Sequence, residues 1–284
     1  MNEFIQNKIK ERISELMESD TIPWYKPWSE VEGAGVNYFT RHKYRGLNRI
    51  FLGDGEYATF NQLKEHKAKL KKGAKGKMVI CPILKKVTYD DNMDEEDEEN
   101  STNIVEQIRG FKFTFVFEIS DTDLPSKMTY QKNEFDISKN EDEALKKVDE
   151  IIKKLGINIK EKVSDSAYYS ESEDLIVVPK KEQFKSISEY LHTLLHEIGH
   201  ATGSKKRLNR GIGNPFGSSK YAKEELVAEI FSLSALAELR LNNPYNEEQT
   251  VAYLKEWKKY CLDNVTNLLS ASNLADKALE YCFA

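Results

Sequence analysis

Three histidines and one acid stand at helical spacing in the run His192-Thr193-Leu194-Leu195-His196-Glu197-Ile198-Gly199-His200. Residues four apart share a face of an α-helix, so His196 and His200 can offer two imidazoles to one metal ion. Glu197, on the adjoining face, can reach a water beside that ion. Three of the chain's five histidines fall in this one run, a concentration that incidental surface histidines do not explain. The chemistry implied is hydrolysis at Zn2+, with another divalent transition metal compatible with the same donors. Glu197 is the expected general base, and therefore the catalytic residue.

A catalytic zinc takes three protein ligands and keeps one position open, so a third ligand must come from elsewhere. The stretch Glu224-Glu225-Leu226-Val227-Ala228-Glu229 offers one. Glu225 is the expected ligand, and Glu229, one helical turn on, is the expected acid that orients a ligating histidine; Glu224 is expected to point elsewhere. A Glu from a downstream helix followed four residues later by an acid is the arrangement of gluzincins such as thermolysin. His192 is expected as a packed or hydrogen-bonded neighbour, because a fourth ligand would leave no position for water. Tyr168, Tyr169 and Arg207 are open alternatives for the donor that holds an oxyanion. The strand expected over 174–178 is a candidate for binding an extended peptide by strand addition.

These side chains need elements to hold them. Ser186 followed three residues later by Glu189 reads as a capping box opening a helix that Gly203 ends. Ahead of it the pattern predicts a helix over 142–155, burying Leu145, Val148, Ile152 and Leu155, and strands near 157–162, 165–170 and 174–178. Behind it come helices near 220–241, 246–262 and 264–282. In the N-terminal part, Phe4, Ile5, Ile9, Ile13 and Leu16 recur at helical spacing, and 24–57 has no clear period. A helix over 59–70 is predicted to turn Phe60, Leu63 and Leu70 inward. Strands over 78–89 and 108–119 read as a hairpin, with Phe111, Phe113, Phe115 and Phe117 on one face. The acidic tract between them, about 90–104, is too poor in apolar residues to fold and is predicted to be a disordered loop. The polar stretch 130–141 is the predicted linker.

At 284 residues, with 39% hydrophobic and 31% charged residues, the chain reads as a soluble, cytoplasmic globular protein of two domains, with no membrane-crossing span. Three scattered cysteines exclude a disulfide framework. The net charge of −5 hides segregation, since residues 1–88 carry 17 Lys plus Arg against 10 Asp plus Glu. That basic half suggests a polyanionic partner; single-stranded DNA, one such partner, is held by a cationic groove and by aromatic faces. Trp24, Trp28, Tyr38, Arg41, Lys43, Tyr44 and Arg45, with Asn48, Lys72 and Lys75, are the expected contacts.

The run HEIGHATGSKKRLNR, then Phe216-Gly217-Ser218 and YAKEELVAEIFS, resembles the metallopeptidase domain of ArdC-type antirestriction proteins. Ile22-Pro23-Trp24, Lys26-Pro27-Trp28, Asn37, Tyr44-Arg45-Gly46-Leu47-Asn48, KKGAKGK and VFEISDTDLP resemble that family's N-terminal part. The resemblance implies an α+β chain. It would have an N-terminal α+β single-stranded-DNA-binding domain with a β-hairpin (1–129) and a zincin-like, gluzincin-type metallopeptidase domain (142–284). It further implies carriage by a mobile genetic element and protection of incoming DNA from host restriction, with a restriction-system component as a possible protein substrate. The alternatives are a cytosolic metallopeptidase without a DNA role, and a zincin fold kept only as a metal-stabilised scaffold.

Overall fold

The computed structural model describes residues 3–17, 35–53, 55–89, 103–128, 137–215, 218–239, 241 and 260–284. Trp24, Trp28, most of the helix predicted over 246–262 and nearly all of the acidic tract lie outside them.

The N-terminal half opens with helix α1 (Glu3–Met17), whose Ile5, Ile9 and Ile13 are buried as their spacing requires. Strand β1 (Val36–Asn37), helix α2 (Leu47–Leu52), strand β2 (Glu56–Thr59) and helix α3 (Phe60–Glu65) follow. Thr59 caps α3 in a reciprocal box with Gln62. The helix is shorter than predicted, and Leu70 instead makes a bridge to Thr122. Strands β3 (Lys77–Tyr89) and β4 (Asn103–Glu118) form the predicted hairpin, in a sheet of order β1-β2-β4-β3. The pairing runs from Lys77↔Val116 to Tyr89↔Asn103, so the acidic tract's last residues, 103 and 104, belong to β4.

Phe111 and Phe113 pack against the main core with Met78 and Ile80. Further along the same face the cover ends. Phe115 is 48% exposed, and Phe60, predicted to turn inward, is 56% exposed. In α3 the buried position is taken by Leu63.

Helix α4 (Ile137–Leu155) begins inside the predicted linker and buries Ala144, Val148, Ile151 and Leu155. Strands β5 (Asn158–Lys162), β6 (Tyr168–Ser170) and β7 (Leu175–Pro179) form a second sheet of order β5-β7-β6. β7 lies in the middle, parallel to β5 and antiparallel to β6. Both its edges are occupied, so it cannot take an added strand. The sheet's edge strands are β5 and β6, and β6 is the one that lines a cavity beside His196 and His200.

Helix α5 (Ile187–Thr202) starts at the Ser186 cap, where Ser186 Oγ accepts from Glu189 N at 3.1 Å. The return bond differs from the expected box, since the Glu189 carboxylate accepts from Lys185 N at 3.0 Å. Gly203 ends the helix, and its hydrogen is required for space. A Cβ there would lie 2.7 Å from both Arg210 Nη2 and Ile212 Cγ2. Helix α6 (Ser219–Glu238) is buried on every side from Leu226 to Leu236, and α7 (Val265–Phe283) covers it.

One buried cluster runs through the molecule. It takes Ile9 and Ile13 of α1, Leu47 and Phe51 of α2 and Ile80 of β3 together with Leu191, Ile198, Leu226, Phe231 and Leu268 of the C-terminal helices. The Tyr44-to-Asn48 segment locks the two halves together. Gly46 N and Arg49 Nη1 both donate to the buried Asp276 carboxylate, the latter at 3.0 Å. Arg45 pairs with Glu280 at 2.6 Å. Gly46 adopts φ 57, and a Cβ would lie 2.1 Å from Asn273 Oδ1, so glycine is needed twice over at this junction.

Candidate metal centre

α5 presents His192, His196 and His200 along one face toward α6. The helices approach closely because Gly199 lacks a side chain, and a Cβ on it would lie 3.0 Å from Ala228 Cα. That approach brings the α6 acids to the histidines. Glu225 Oε2 lies 3.3 Å from His196 Nε2, and Glu225 Oε1 lies 3.6 Å from His200 Nε2. The candidate donor atoms of His196, His200 and Glu225 all lie within 4.8 Å of one another, the one such group among the described residues.

The outer nitrogens of both rings face carboxylates. His196 Nδ1 meets Glu229 Oε2 at 3.2 Å, and the other Glu229 oxygen lies 3.5 Å from His192 Nε2. His200 Nδ1 meets Glu224 Oε1 at 3.6 Å. Glu224 therefore does not point away from the centre as predicted. Buried Arg210 holds it in place, donating from Nη2 and Nε at 2.5 and 3.1 Å, and also binds Thr202 Oγ1 and Gly199 O. Sequence reasoning missed Arg210, because its partners lie on two separate helices.

This pattern sets the protonation. Burial disfavours charge on His196, yet hydrogen bonds to Glu225 and Glu229 outweigh it and push the imidazole up to about 10. In His200, Glu224 and Glu225 likewise overcome burial and raise it. Burial would raise Glu225 and Glu229, but the histidines hold both well below the usual carboxylate range. Glu197 behaves oppositely. Burial raises its carboxyl, and Glu225 adds to this, against lowering by His196, His200 and a bond from the Tyr169 main chain. A carboxylate kept more basic than usual beside two imidazoles is what a general base requires.

The donor set fits a catalytic zinc. It offers two imidazoles and one carboxylate, each imidazole fixed by an acid on its far nitrogen, as metal-ligating histidines are. A cavity of about 400 Å³ opens over it, lined by Tyr168 and Tyr169 of β6, Tyr221 of α6 and Ile212–Asn214.

Of the three oxyanion donors considered, two are consumed. Arg207 is 3% exposed and forks onto Asp174 at 2.8 and 3.0 Å, with further bonds to Leu155 O, Ala201 O and Ser204 Oγ. The Tyr169 hydroxyl donates to Asp174 Oδ1 at 2.8 Å, leaving only its main chain at Glu197. Tyr168 keeps an exposed ring at the cavity. Tyr221, which sequence reasoning missed, hydrogen-bonds Glu225 one turn along α6, and burial and that carboxylate push its hydroxyl up to about 12. Its i, i+4 spacing to Glu225 was the available signal.

Residues 146–274 match the family model of a zincin-like metallopeptidase, and residues 3–117 match that of the N-terminal domain of the anti-restriction factor ArdC. The fold superposes on crystal structures of the antirestriction protein ArdC from plasmid R388, at 26% identity. The TM-scores are 0.66 for the metal-free form and 0.67 for the Mn(II)-bound form, over 98% of this chain and 96% of that one. The chain belongs to the ArdC family. It is also 31% identical to a DNA primase TraC of Escherichia coli, over 97% of this chain and 20% of the primase. To the uncharacterized protein y4eC of Sinorhizobium fredii it is 26% identical, over 93% of this chain and 85% of that protein. The chain thus spans about a fifth of the length of that primase. The zincin-like domain implies zinc, and the Mn(II)-bound R388 protein is consistent with another divalent ion.

In the ArdC N-terminal part, several residues expected to contact DNA are engaged in packing. Tyr38 is 5% exposed, donates to Pro125 O at 3.0 Å and stacks edge-on against Phe39. Tyr44 is partly buried against Tyr57 and accepts from Asn37. Asn48 is spent on the main chain of Ile80, giving and taking one bond at 2.7 Å each. Arg41 pairs with the buried Glu56, and Arg45 with Glu280. Lys43, Lys72 and Lys75 are exposed. These aromatic and amide groups are thus held by neighbours within the protein.

Proposed function

We propose that this ArdC-type chain is an antirestriction protein of a mobile element. In this reading it binds single-stranded DNA through the N-terminal part, about 1–129, and carries a metallopeptidase site in the part beginning at α4. Its setting is the cytoplasm, where incoming DNA meets restriction. The observation that carries the reading is the convergence of His196, His200 and Glu225 with Glu197 buried beside them and a substrate-sized cavity above.

His196, His200 and Glu225 would hold the metal; Glu229 and His192 on one side and Glu224 and Arg210 on the other would keep the imidazoles aimed. When bound, zinc supplies Lewis-acid polarisation of a carbonyl and lowers the pKa of water. Glu197 takes a proton from the attacking water and returns it to the leaving amine. Tyr168, whose ring is exposed at the cavity, would donate to the developing oxyanion, while Tyr221 would steady Glu225 through its hydroxyl. An extended peptide would pair with the open edge of β6, whose Tyr169 main chain already touches Glu197.

Metal analysis of the purified protein, with the Glu225→Ala variant alongside, tests the site. Stoichiometric metal in the wild type and its loss in the variant are expected; stoichiometric metal in the variant would reject the ligand assignment. Gel retardation of a labelled single-stranded oligonucleotide tests the DNA role, and absence of binding at low salt leaves the metallopeptidase reading without it. If DNA protection survives Glu197→Gln with metal retained, proteolysis is dispensable for protection.

A further inference from the structure

We propose that single-stranded DNA stacks on the exposed rings of Phe60 and Phe115, steadied by Lys64, Lys71, Lys72 and Lys75, rather than on the aromatic residues of 38–44. This rests on the DNA-binding reading above and names its surface.

The geometry begins with β4. Phe113, Phe115 and Phe117 project from one face at alternate positions, roughly 7 Å apart along the strand. The ring centroids of Phe113 and Phe115 are 5.8 Å apart, and Phe60 adds its ring 6.5 Å from Phe117. The row therefore continues from the sheet onto α3. α1 covers its beginning, but at Phe115 and Phe60 about half of each side chain faces solvent. Neither ring completes a core, and two large exposed rings in one row are costly to leave wet unless a flat apolar partner covers them.

The charge beside the row selects the partner. Residues 60–77 carry seven lysines and one acid. Lys64 shares the α3 face with Phe60, four residues on. The lysine turn is fastened beside the end of β4, where Lys71 Nζ donates to Ser120 O at 2.8 Å and Gly76 lies against Phe115 so closely that a Cβ would stand 3.0 Å from the Phe115 Cβ. Two acids beside the turn are engaged, and Glu65, next to Lys64, is exposed. Glu118 is held by Lys77 at 2.9 Å, and Asp123 accepts from Lys69 N at 2.8 Å. Rings for bases beside an excess of cations for phosphates are the two components of sequence-independent single-strand binding. A protein partner would have to match a lysine-dense rim with acids, and duplex DNA presents no base faces to stack.

The test is fluorescence anisotropy with a labelled oligo-dT, titrated with wild type and with Phe60→Ala, Phe115→Ala and the double variant. Both side chains are exposed, so the variants should keep the wild-type circular dichroism. Each single variant should bind about tenfold more weakly, the double variant more weakly still, and Phe115→Tyr should restore most of the loss. Lys72→Ala with Lys75→Ala should reduce the slope of log affinity against log salt by about 1 to 2. If the wild type binds and the Phe variants match it within twofold, the surface is refuted while DNA binding stands. If the wild type does not bind oligo-dT at low salt, the DNA-binding reading itself falls.

Discussion

Glu229 sits between two histidines, and its effect on the centre passes through them. Its carboxylate fixes His196 Nδ1 on one side and meets His192 on the other. Glu229→Ala should leave all three ligands in place yet weaken metal affinity about 10- to 100-fold, as loss of such orienting groups does, measured by competition against a chromogenic chelator. Glu197→Gln should keep fold and metal and abolish any peptide cleavage, read by metal analysis beside a turnover assay. Away from the centre, Asp174 holds the β6–β7 turn with a left-handed φ of 48. Burial would raise its carboxyl, but Arg207, Tyr169 and Lys206 outweigh this and hold it at about 2, below its ordinary 3.8. A carboxyl depressed in the fold contributes stability that is complete above its unfolded pKa and is lost as pH falls through 3.8 toward 2. That contribution is about 2 kcal/mol. Urea midpoints from pH 6 down to pH 2 should fall less steeply in Asp174→Asn than in wild type; parallel curves would contradict the assignment.

Among the elements, the α5–α6 contact decides whether a centre exists. Ser186, the four-residue histidine spacing and the Glu225/Glu229 pair are local features, legible because a helix's own geometry fixes them. Gly199 is local too, but its role depends on Ala228 and Phe231 across the interface. Gly199→Val should force the helices apart, cost about 1 to 3 kcal/mol and lower metal affinity together with thermal stability. Strand order was not legible. β7 has the continuous apolar run Leu175–Val178 that a central strand needs, yet no periodicity says which neighbour lies on the side of the active helix. For the same reason α3 turned Leu63 inward and Phe60 outward, and Arg207 became a structural clamp. Each outcome was chosen by what packs against the element, over contacts far apart in sequence.

For the molecule as a whole, one buried cluster takes residues from both ArdC parts, which predicts that they unfold as one unit. The cluster that buries Ile198 and Phe231 also buries Ile9, Ile13 and Phe51, and among the described residues Gly46 and Arg49 hydrogen-bond Asp276. Differential scanning calorimetry should therefore show one cooperative transition, and Gly46→Ala should lower its midpoint with metal absent as well as present. Two separated transitions would show independent halves. The chain's own order of residues determined the histidine face proposed to bind metal, the helix that carries it and the hairpin, because these follow from periods of 3.6 and 2 along a continuous segment. Only the tertiary structure decided that Glu224 and Arg210 support His200, that β6 rather than β7 offers an edge, and that the Tyr44–Asn48 segment joins the halves. Those depend on which distant surfaces exclude water from one another, and a local pattern does not encode that choice.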